Sequence, residues 1–531
     1  MLNLLLFSCA RVGAPNGGTR DSLAPKFLGS NIDTTRLNVS RTVKELRLDF
    51  DEYVMLKDFN KNFNVSPPIK KIKKVIPSNL ANKYVLIQWE DTLQANTTYN
   101  FNFGNAIVDN NESNPLPYFN FAFSTGDKID DLFVSGTVKD AMTLIKENQT
   151  AKDNKMVVGL YKAGENLDYK QKPDYITKVD EENYFELNFL PKGEFVIIAF
   201  DDENQNSVYD AGKEKVSFLK EKIKLDSTSV RGLKLKLYPS KKVVKYKESK
   251  AINGGLLMTF EGNPETVEVK SLSEELKDFK VTHAKRSDSV NIWFDAEKSN
   301  LGGTVSKQVK LSYFTPTISD TISVSYKAVK EEFKLSNEAG NLIAPENNFV
   351  INTSLPIENL NTSSWKLESD SIAQDFTAKI SEKNPFKILV NSSFKPTKKY
   401  VLTIPKETVS SYYSSNDKSF QFQFEIDKPE NYGSFTAVIK NKPTAKFWVE
   451  LTNEKGEILY SQFTNASEVS FKNLKPATYI ARIRVDNNGN GFWDEADFAQ
   501  NIAAEDVYIF EKEINVRPLW EIKEDWELTN R

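Results

Sequence analysis

The sequence predicts an all-β chain of tandem β-sandwich modules, and three observations predict it. First, a stretch occurs twice. Residues 190–210 (LPKGEFVIIAFDDENQNSVYD) and 474–494 (LKPATYIARIRVDNNGNGFWD) share a turn, an alternating strand and an Asp/Asn loop with no gap between the copies. A repeat this widely separated marks a duplicated β unit. Second, aromatic residues make up 12% of the chain, with 35 Phe, and such residues suit pleated, half-buried surfaces. Third, 531 residues are too many for one compact core, so several modules are expected.

Taken in order, the chain opens with MLNLLLFSC (1–9), an apolar run ending in its sole cysteine. An apolar core followed by a small residue has the form of a secretory leader, although the basic n-region is missing. Leu6-Phe7-Ser8-Cys9 is similar to a bacterial lipobox, which marks Cys9 for lipidation; Phe7 departs from the usual small residue, and a start codon placed too late would explain the short leader. Residues 10–25 are polar and Gly-rich and read as a flexible tether. Residues 26–127 alternate in short runs, such as Leu46–Phe50, Thr98–Phe103 and Phe119–Phe123, separated by turn residues. That spacing predicts a β-sandwich.

A second unit is expected over 130–240 and carries the first Asp/Asn loop. The basic run 241–250 is a linker or an edge strand. A spacer sandwich is expected over 250–329, with a pair of short helical turns at 271–279. Residues 332–428 echo the first sandwich: LQANTTY (93–99) and FKPTKKY (394–400) both precede an alternating strand. The last unit, 431–531, carries the second loop.

Composition excludes several functions. A net charge of −3 offers no positive field for nucleic acid. One Cys and one His leave no material for a disulfide framework, a thiolate zinc site or a His-based triad. His283 reads as a strand residue. The acidic groups Asp49, Asp51 and Glu52, and Asp109 with Glu112, lie among turns and read as solvated or turn-capping. Trp520 and Trp526 read as closing the last core, with a sugar-stacking platform as the alternative.

The second loop matches most of a twelve-position calcium pattern. Counting Asp486 as position one, Asn488, Asn490, Asp494 and Asp497 fall at oxygen-ligand positions, Gly491 at the sharp turn, and Phe492 offers its carbonyl. The closing residue is Asp where a bidentate Glu is usual, and a strand precedes the loop where an EF-hand has a helix. The first loop offers Asp202, Asn204, Asn206 and Asp210, but Ser207 replaces the glycine and Lys213 sits at the closing position. Calcium at either loop is expected to be structural. The competing reading is a long hairpin whose Asn and Asp side chains cap their own backbone.

Residues 9–21 (CARVGAPNGGTRD), 48–54 (LDFDEYV), 103–116 (FGNAIVDNNESNPL), 123–127 (FSTGD) and 516–520 (VRPLW) resemble a family of Bacteroidota lipoproteins. In that family a bacterial Ig-like domain of the S-layer-protein type follows the lipidated cysteine. The resemblance is closest over residues 9–240. It implies that the loop-bearing units are transthyretin-like (prealbumin-like, carboxypeptidase-regulatory-like) β-sandwiches, and it brings no catalytic residues. It further implies a lipid-anchored, non-catalytic envelope protein of the outer membrane, a structural or interaction scaffold. Its partners would be the membrane and an envelope protein or glycan. Ala10-Arg11-Val12 lacks an acidic run, which favours the periplasmic face over the cell surface. The alternatives are a surface module binding glycan or protein through loops at the sandwich ends, and an acid-pair glycosidase, which would need two carboxylates facing each other across a pocket.

Overall fold

The computed structural model describes residues 21–144, 155–164, 168–329, 331–338 and 340–528. The fold is all-β. The only helical turns among these residues are Phe59–Asn62, Thr362–Ser364 and Pro429–Asn431. Among the described residues no helix is long and apolar enough to cross a membrane. Cys9 lies outside the described residues.

Buried side chains gather in five separate clusters: Ile32 to Phe123, Leu132 to Leu237, Leu256 to Tyr326, Phe333 to Ile426, and Phe435 to Leu528. The chain divides into two compact units, one holding the first two clusters and the other mainly the residues from Tyr238 onward.

In the first unit, the first cluster lies between two sheets. One has the order Phe27–Ser30, Glu45–Leu56, Asn82–Trp89, Ile72–Ile76; the other, Asn64–Ser66, Thr98–Gly104, Phe119–Ser124. Alternation sets the burial: Phe101, Phe103, Phe121 and Phe123 point inward and are at most 1% exposed. Asp109, in the acidic group near the end of this sandwich, is turn-capping: its carboxylate accepts the backbone N–H groups of Asn111, Glu112, Ser113 and Asn114. The second cluster is also a sandwich. Its smaller sheet centres on Leu132–Asp140, with Tyr184–Leu190 antiparallel on one side and Val230–Leu237 parallel on the other. Its larger sheet runs Tyr175–Lys178, Met156–Lys162, Gly193–Asp201, Val216–Phe218, and Ile223–Leu225 also pairs with Gly193–Asp201.

In the second unit, the last cluster repeats that plan strand for strand. Gly433–Lys440 has Glu468–Leu474 antiparallel and Glu521–Glu527 parallel. The larger sheet runs Ile458–Thr464, Lys446–Thr452, Ala477–Asp486, Val507–Ile509, with Ile514–Val516 also paired to Ala477–Asp486. The fourth cluster likewise repeats a sheet of the first, as Leu335–Asn337, Phe349–Thr353, Asn384–Ser392, Phe376–Ser381. Its echo extends to one hydrogen bond. The Tyr99 hydroxyl accepts the N–H of Gln94 at 2.8 Å, and the Tyr400 hydroxyl accepts that of Lys395 at 2.8 Å. A tyrosine pinning the backbone five residues upstream fixes how the chain enters the strand.

Two expectations change. Residues 271–279 hold no helix, because the Ser271 hydroxyl accepts the N–H of Ser273 and diverts the backbone into a turn. The basic run resolves towards an edge strand, Lys245–Ile252.

Within the second unit the clusters interlock. Trp293 lies on a strand paired with the third cluster's Gly255–Glu261, yet its ring is 3% exposed inside the fourth cluster, 6.0 Å from Phe386. Residues after the third cluster's first strands also reach the fifth, as the loop below shows.

Candidate functional site

Both Asp/Asn loops leave the end of a central strand and fold back on themselves through the same bonds. In the first, the Asp202 carboxylate accepts the N–H groups of Asn206 and Ser207, both at 3.0 Å. In the second, Asp486 accepts those of Asn490 and Gly491, both at 3.0 Å. Asn204 and Asn488 accept from the N–H groups of Asn206 and Asn490, again at 3.0 Å. The Asn206 and Asn490 side chains accept from Val208 at 2.6 Å and Phe492 at 2.7 Å. The amide groups of Asn204 and Asn488 donate to Asp210 and Asp494 at 2.6 and 2.5 Å. These are local bonds of the kind Asn and Asp side chains make in turns.

The loops need left-handed backbone at two matching positions: Gln205 and Ser207 in the first, Gly489 and Gly491 in the second. Glycine adopts it freely, whereas Gln205 and Ser207 adopt it under strain.

Neither closing position of the twelve-residue count meets its loop. Asp497 Oδ1 accepts the N–H of Gln500 at 3.1 Å and caps its own turn. Lys213 is exposed. The side chains that meet the loops are two buried glutamates that sequence reasoning missed. Glu214 accepts the N–H groups of Glu203 at 3.1 Å and Asp210 at 2.8 Å. Glu505 accepts those of Asn487 at 2.6 Å, Asn488 at 3.2 Å and Asp494 at 2.9 Å. Glu214 lies twelve residues after Asp202 and Glu505 nineteen after Asp486, so the gapless register ends before reaching them. Burial raises both carboxyls, and the charges of Asp202 and Asp210 add to the rise at Glu214, which reaches about 7.

The surroundings of the second loop are built by other parts of its own unit. Arg286 Nη1 lies 2.7 Å from Asp494 Oδ1, while its Nε pairs with Glu265 at 2.5 Å. The Arg286 guanidinium also sits 4.7 Å from the centre of the Phe492 ring. Burial works to raise the Asp494 carboxyl, but hydrogen bonds from Asn488 and Asn490 and the Arg286 ion pair hold it below the usual carboxylate range. The segment before the third cluster docks alongside: Lys241 N–H donates to the Ala496 carbonyl at 2.8 Å, and Ala496 N–H to that of Pro239 at 3.1 Å. Tyr238 packs 6.4 Å from Trp493.

Calcium takes six to eight oxygens, and these loops offer Asp and Asn side-chain oxygens with a backbone carbonyl at Phe492. Among the described residues no group of three or more His, Cys, Asp or Glu side chains is gathered to hold a metal. The second loop already receives a cation, the Arg286 guanidinium, on the carboxylate counted as its ninth position. In the first loop the charges of Asp202 and Asp210 add to what burial already costs the ionised Glu214.

The remaining candidates separate. Trp526 is buried in the fifth cluster, and Trp520 is 48% exposed beneath the Arg517 guanidinium. His283 ends an edge strand, with Nε2 3.0 Å from the Ser287 carbonyl.

Residues 21–125 match the bacterial Ig-like domain family. This range encloses the two-sheet sandwich of the first cluster. No curated protein matches the chain. Among solved structures, the S-layer protein rSbsC is similar at 12% identity and a TM-score of 0.15, over 93% of this chain and 67% of that one. BcpA, the major pilin subunit of Bacillus cereus, is similar at 11% identity and a TM-score of 0.13, over 75% and 99%. SGBP-B of the Bacteroides ovatus mixed-linkage glucan utilization locus, in complex with a mixed-linkage heptasaccharide, is similar at 9% identity and a TM-score of 0.20, over 73% and 94%. With TM-scores this low, nothing about ligand or assembly transfers from these proteins to this chain.

Proposed function

We propose that the chain is a non-catalytic scaffold of the bacterial cell envelope, lipid-anchored through Cys9 to the periplasmic face of the outer membrane. The observation that carries the scaffold reading is the use made of the second loop. Its most chemically capable groups, Asp494 and Phe492, hold Arg286 of another sandwich, and its backbone holds the segment 239–241. Trp293, buried in the neighbouring cluster, adds an apolar joint. Such contacts stiffen a multi-sandwich chain, because relative motion would expose a buried ring and separate a partly buried ion pair. The anchor rests on the sequence of residues 1–9 and the resemblance it carries.

The same proposal assigns calcium, as a structural ion, to the first loop before the second. Asp202, Asn204, Asn206 and Asp210 would hold it, while Glu214 stays on the backbone N–H groups of Glu203 and Asp210. In the second loop Asp486, Asn488, Asn490, the Phe492 carbonyl and Asp494 would bind only after Arg286 withdraws.

Localisation tests the anchor. Native protein is expected in the outer-membrane fraction, protected from protease added to intact cells, and Cys9→Ala is expected to be released. Cytoplasmic recovery of both proteins would remove the anchor, and cleavage on intact cells would move the protein to the cell surface. Melting of the full chain with millimolar calcium and with chelator tests the ion, since a ligand of the folded state alone must raise the melting point. An unchanged midpoint in both the native chain and Arg286→Ala sinks the calcium assignment.

A further inference from the structure

Within the second unit, a cleft of about 440 Å3 lies between the fourth and fifth clusters. That volume falls in the range of small-ligand sites. Its two walls are tied to each other. Asn473, on the fifth-sandwich wall, donates from its side-chain amide to the Pro345 carbonyl, in the segment that forms the other wall, at 2.9 Å. That segment is in turn held by its own sheet, where the Asp427 N–H donates to the Ile343 carbonyl at 2.8 Å. A cleft built before its ligand arrives loses less on binding.

The lining has a definite chemistry. Its charged side chains are Glu338, Lys472 and Lys475. Glu338 is committed to an ion pair with Lys387. The two lysines are exposed and have no ion pair among the described residues. Uncompensated positive charge is therefore gathered in one cleft of a chain whose net charge is −3. Beside it stand Asn347, Asn348 and Ser461, whose side chains have no hydrogen-bond partner among the described residues. Tyr460, half-buried against Tyr479, adds an aromatic surface.

We propose that this cleft binds a carboxylate-bearing glycan. Asn347, Asn348 and Ser461 hydrogen-bond its hydroxyls, and Lys472 and Lys475 meet its carboxylate. Clustered amide and hydroxyl side chains suit clustered sugar hydroxyls, because each of these groups both donates and accepts. The charge selects the acidic kind, since a neutral glycan leaves both ammonium groups without a partner. The carboxylate can belong to uronate residues or to the acid-bearing sugars of a cell-wall glycan strand. Both present the same chemistry to the cleft. This assignment adds a ligand to the scaffold and is independent of the anchor at Cys9.

The full chain carrying Cys9→Ala, free of lipid, is titrated by calorimetry with four probes. These are oligogalacturonate, peptide-free glycan strands of the cell wall, a neutral cello-oligosaccharide and an oligoglutamate peptide. At least one acidic glycan is expected to bind, and the tighter of the two names the source. The neutral glycan and the peptide are expected to bind at least ~10-fold more weakly. Lys472→Ala with Lys475→Ala is expected to weaken the acidic glycan ~10-fold and to remove most of its salt dependence. Asn347→Ala with Ser461→Ala is expected to weaken it comparably while leaving the salt dependence in place. All four residues are exposed, so an unchanged melting point is the check that these variants fold. Failure of both acidic glycans to bind overturns the proposal. So does an oligoglutamate that binds as tightly, or glycan binding that survives either pair of substitutions, because simple charge attraction or another surface would then account for it.

Discussion

The two copies of the repeat agree in their loops and differ on the outer face of the sheet that carries them. The loop bonds correspond residue for residue, from Asp202 and Asp486 through Asn206 and Asn490. On the sheet, Gly159 pairs with Ile198 in the first copy, and Phe200 follows on the same face; Ile198 and Phe200 are 0% exposed. The matching positions in the second copy are Glu450, Arg482 and Arg484. There Arg482 Nε donates to Glu450 at 2.6 Å and Arg484 donates to its other oxygen at 2.5 Å, with Glu450 fully buried. One position was kept because the backbone needs it, and the other was free to become apolar or ionic according to what covers it.

The largest expected effect tests that exchange. Glu450→Ala leaves two arginines facing a buried face without their carboxylate, and is expected to cost ~3–5 kcal/mol in chemical unfolding followed by tryptophan fluorescence. Adding Arg482→Ile and Arg484→Phe, the side chains of the first copy, is expected to recover most of the loss, since an apolar replacement of a whole buried ion cluster is often neutral. If the single variant is as stable as the native chain, the triad is an exposed ornament and the contrast between the copies fails.

A middle-sized effect follows from Glu214. Its folded value of about 7 lies above the ordinary 4.5, so between these values the folded chain keeps a proton that the unfolded chain has lost. Its contribution is therefore full below pH 4.5 and declines as pH rises towards 7, by up to ~3 kcal/mol. Glu214→Gln is expected to flatten that dependence, read as hydrogen-exchange protection of residues 202–210 against pH. A profile that stays the same in the variant would show that another group sets it.

The smallest effect concerns the left-handed positions. Ser207→Gly copies Gly491 into the first loop and is expected to stabilise by ~1 kcal/mol, by removing the side-chain penalty of that conformation. A destabilised variant would mean that the Ser207 side chain does more for the loop than the strain costs.

Much of the architecture was legible in the chain. Alternation at 98–103 and 119–123 matched the buried faces of strands, because a two-residue period decides which side chains point inward. The motif ending at Tyr99 and Tyr400 repeated because both hydroxyls pin the same upstream backbone. The loops were legible in part. Asp202 and Asp486 announced themselves as turn-formers, whereas the side chains that close the turns, Glu214 and Glu505, did not. The helical turns expected at 271–279 failed because a serine hydroxyl competed for the backbone.

By itself the sequence determined the all-β class and the duplicated plan, because alternation and a repeated stretch are written in the order of neighbouring residues, and it offered self-capping of the two loops as one of two readings beside calcium. Only the tertiary structure decided that Arg286 meets Asp494, that Trp293 is buried in a neighbouring cluster and that Glu450 draws two arginines to a sheet face. These depend on groups brought together across long stretches of chain, where neither spacing nor periodicity records which residue will be opposite.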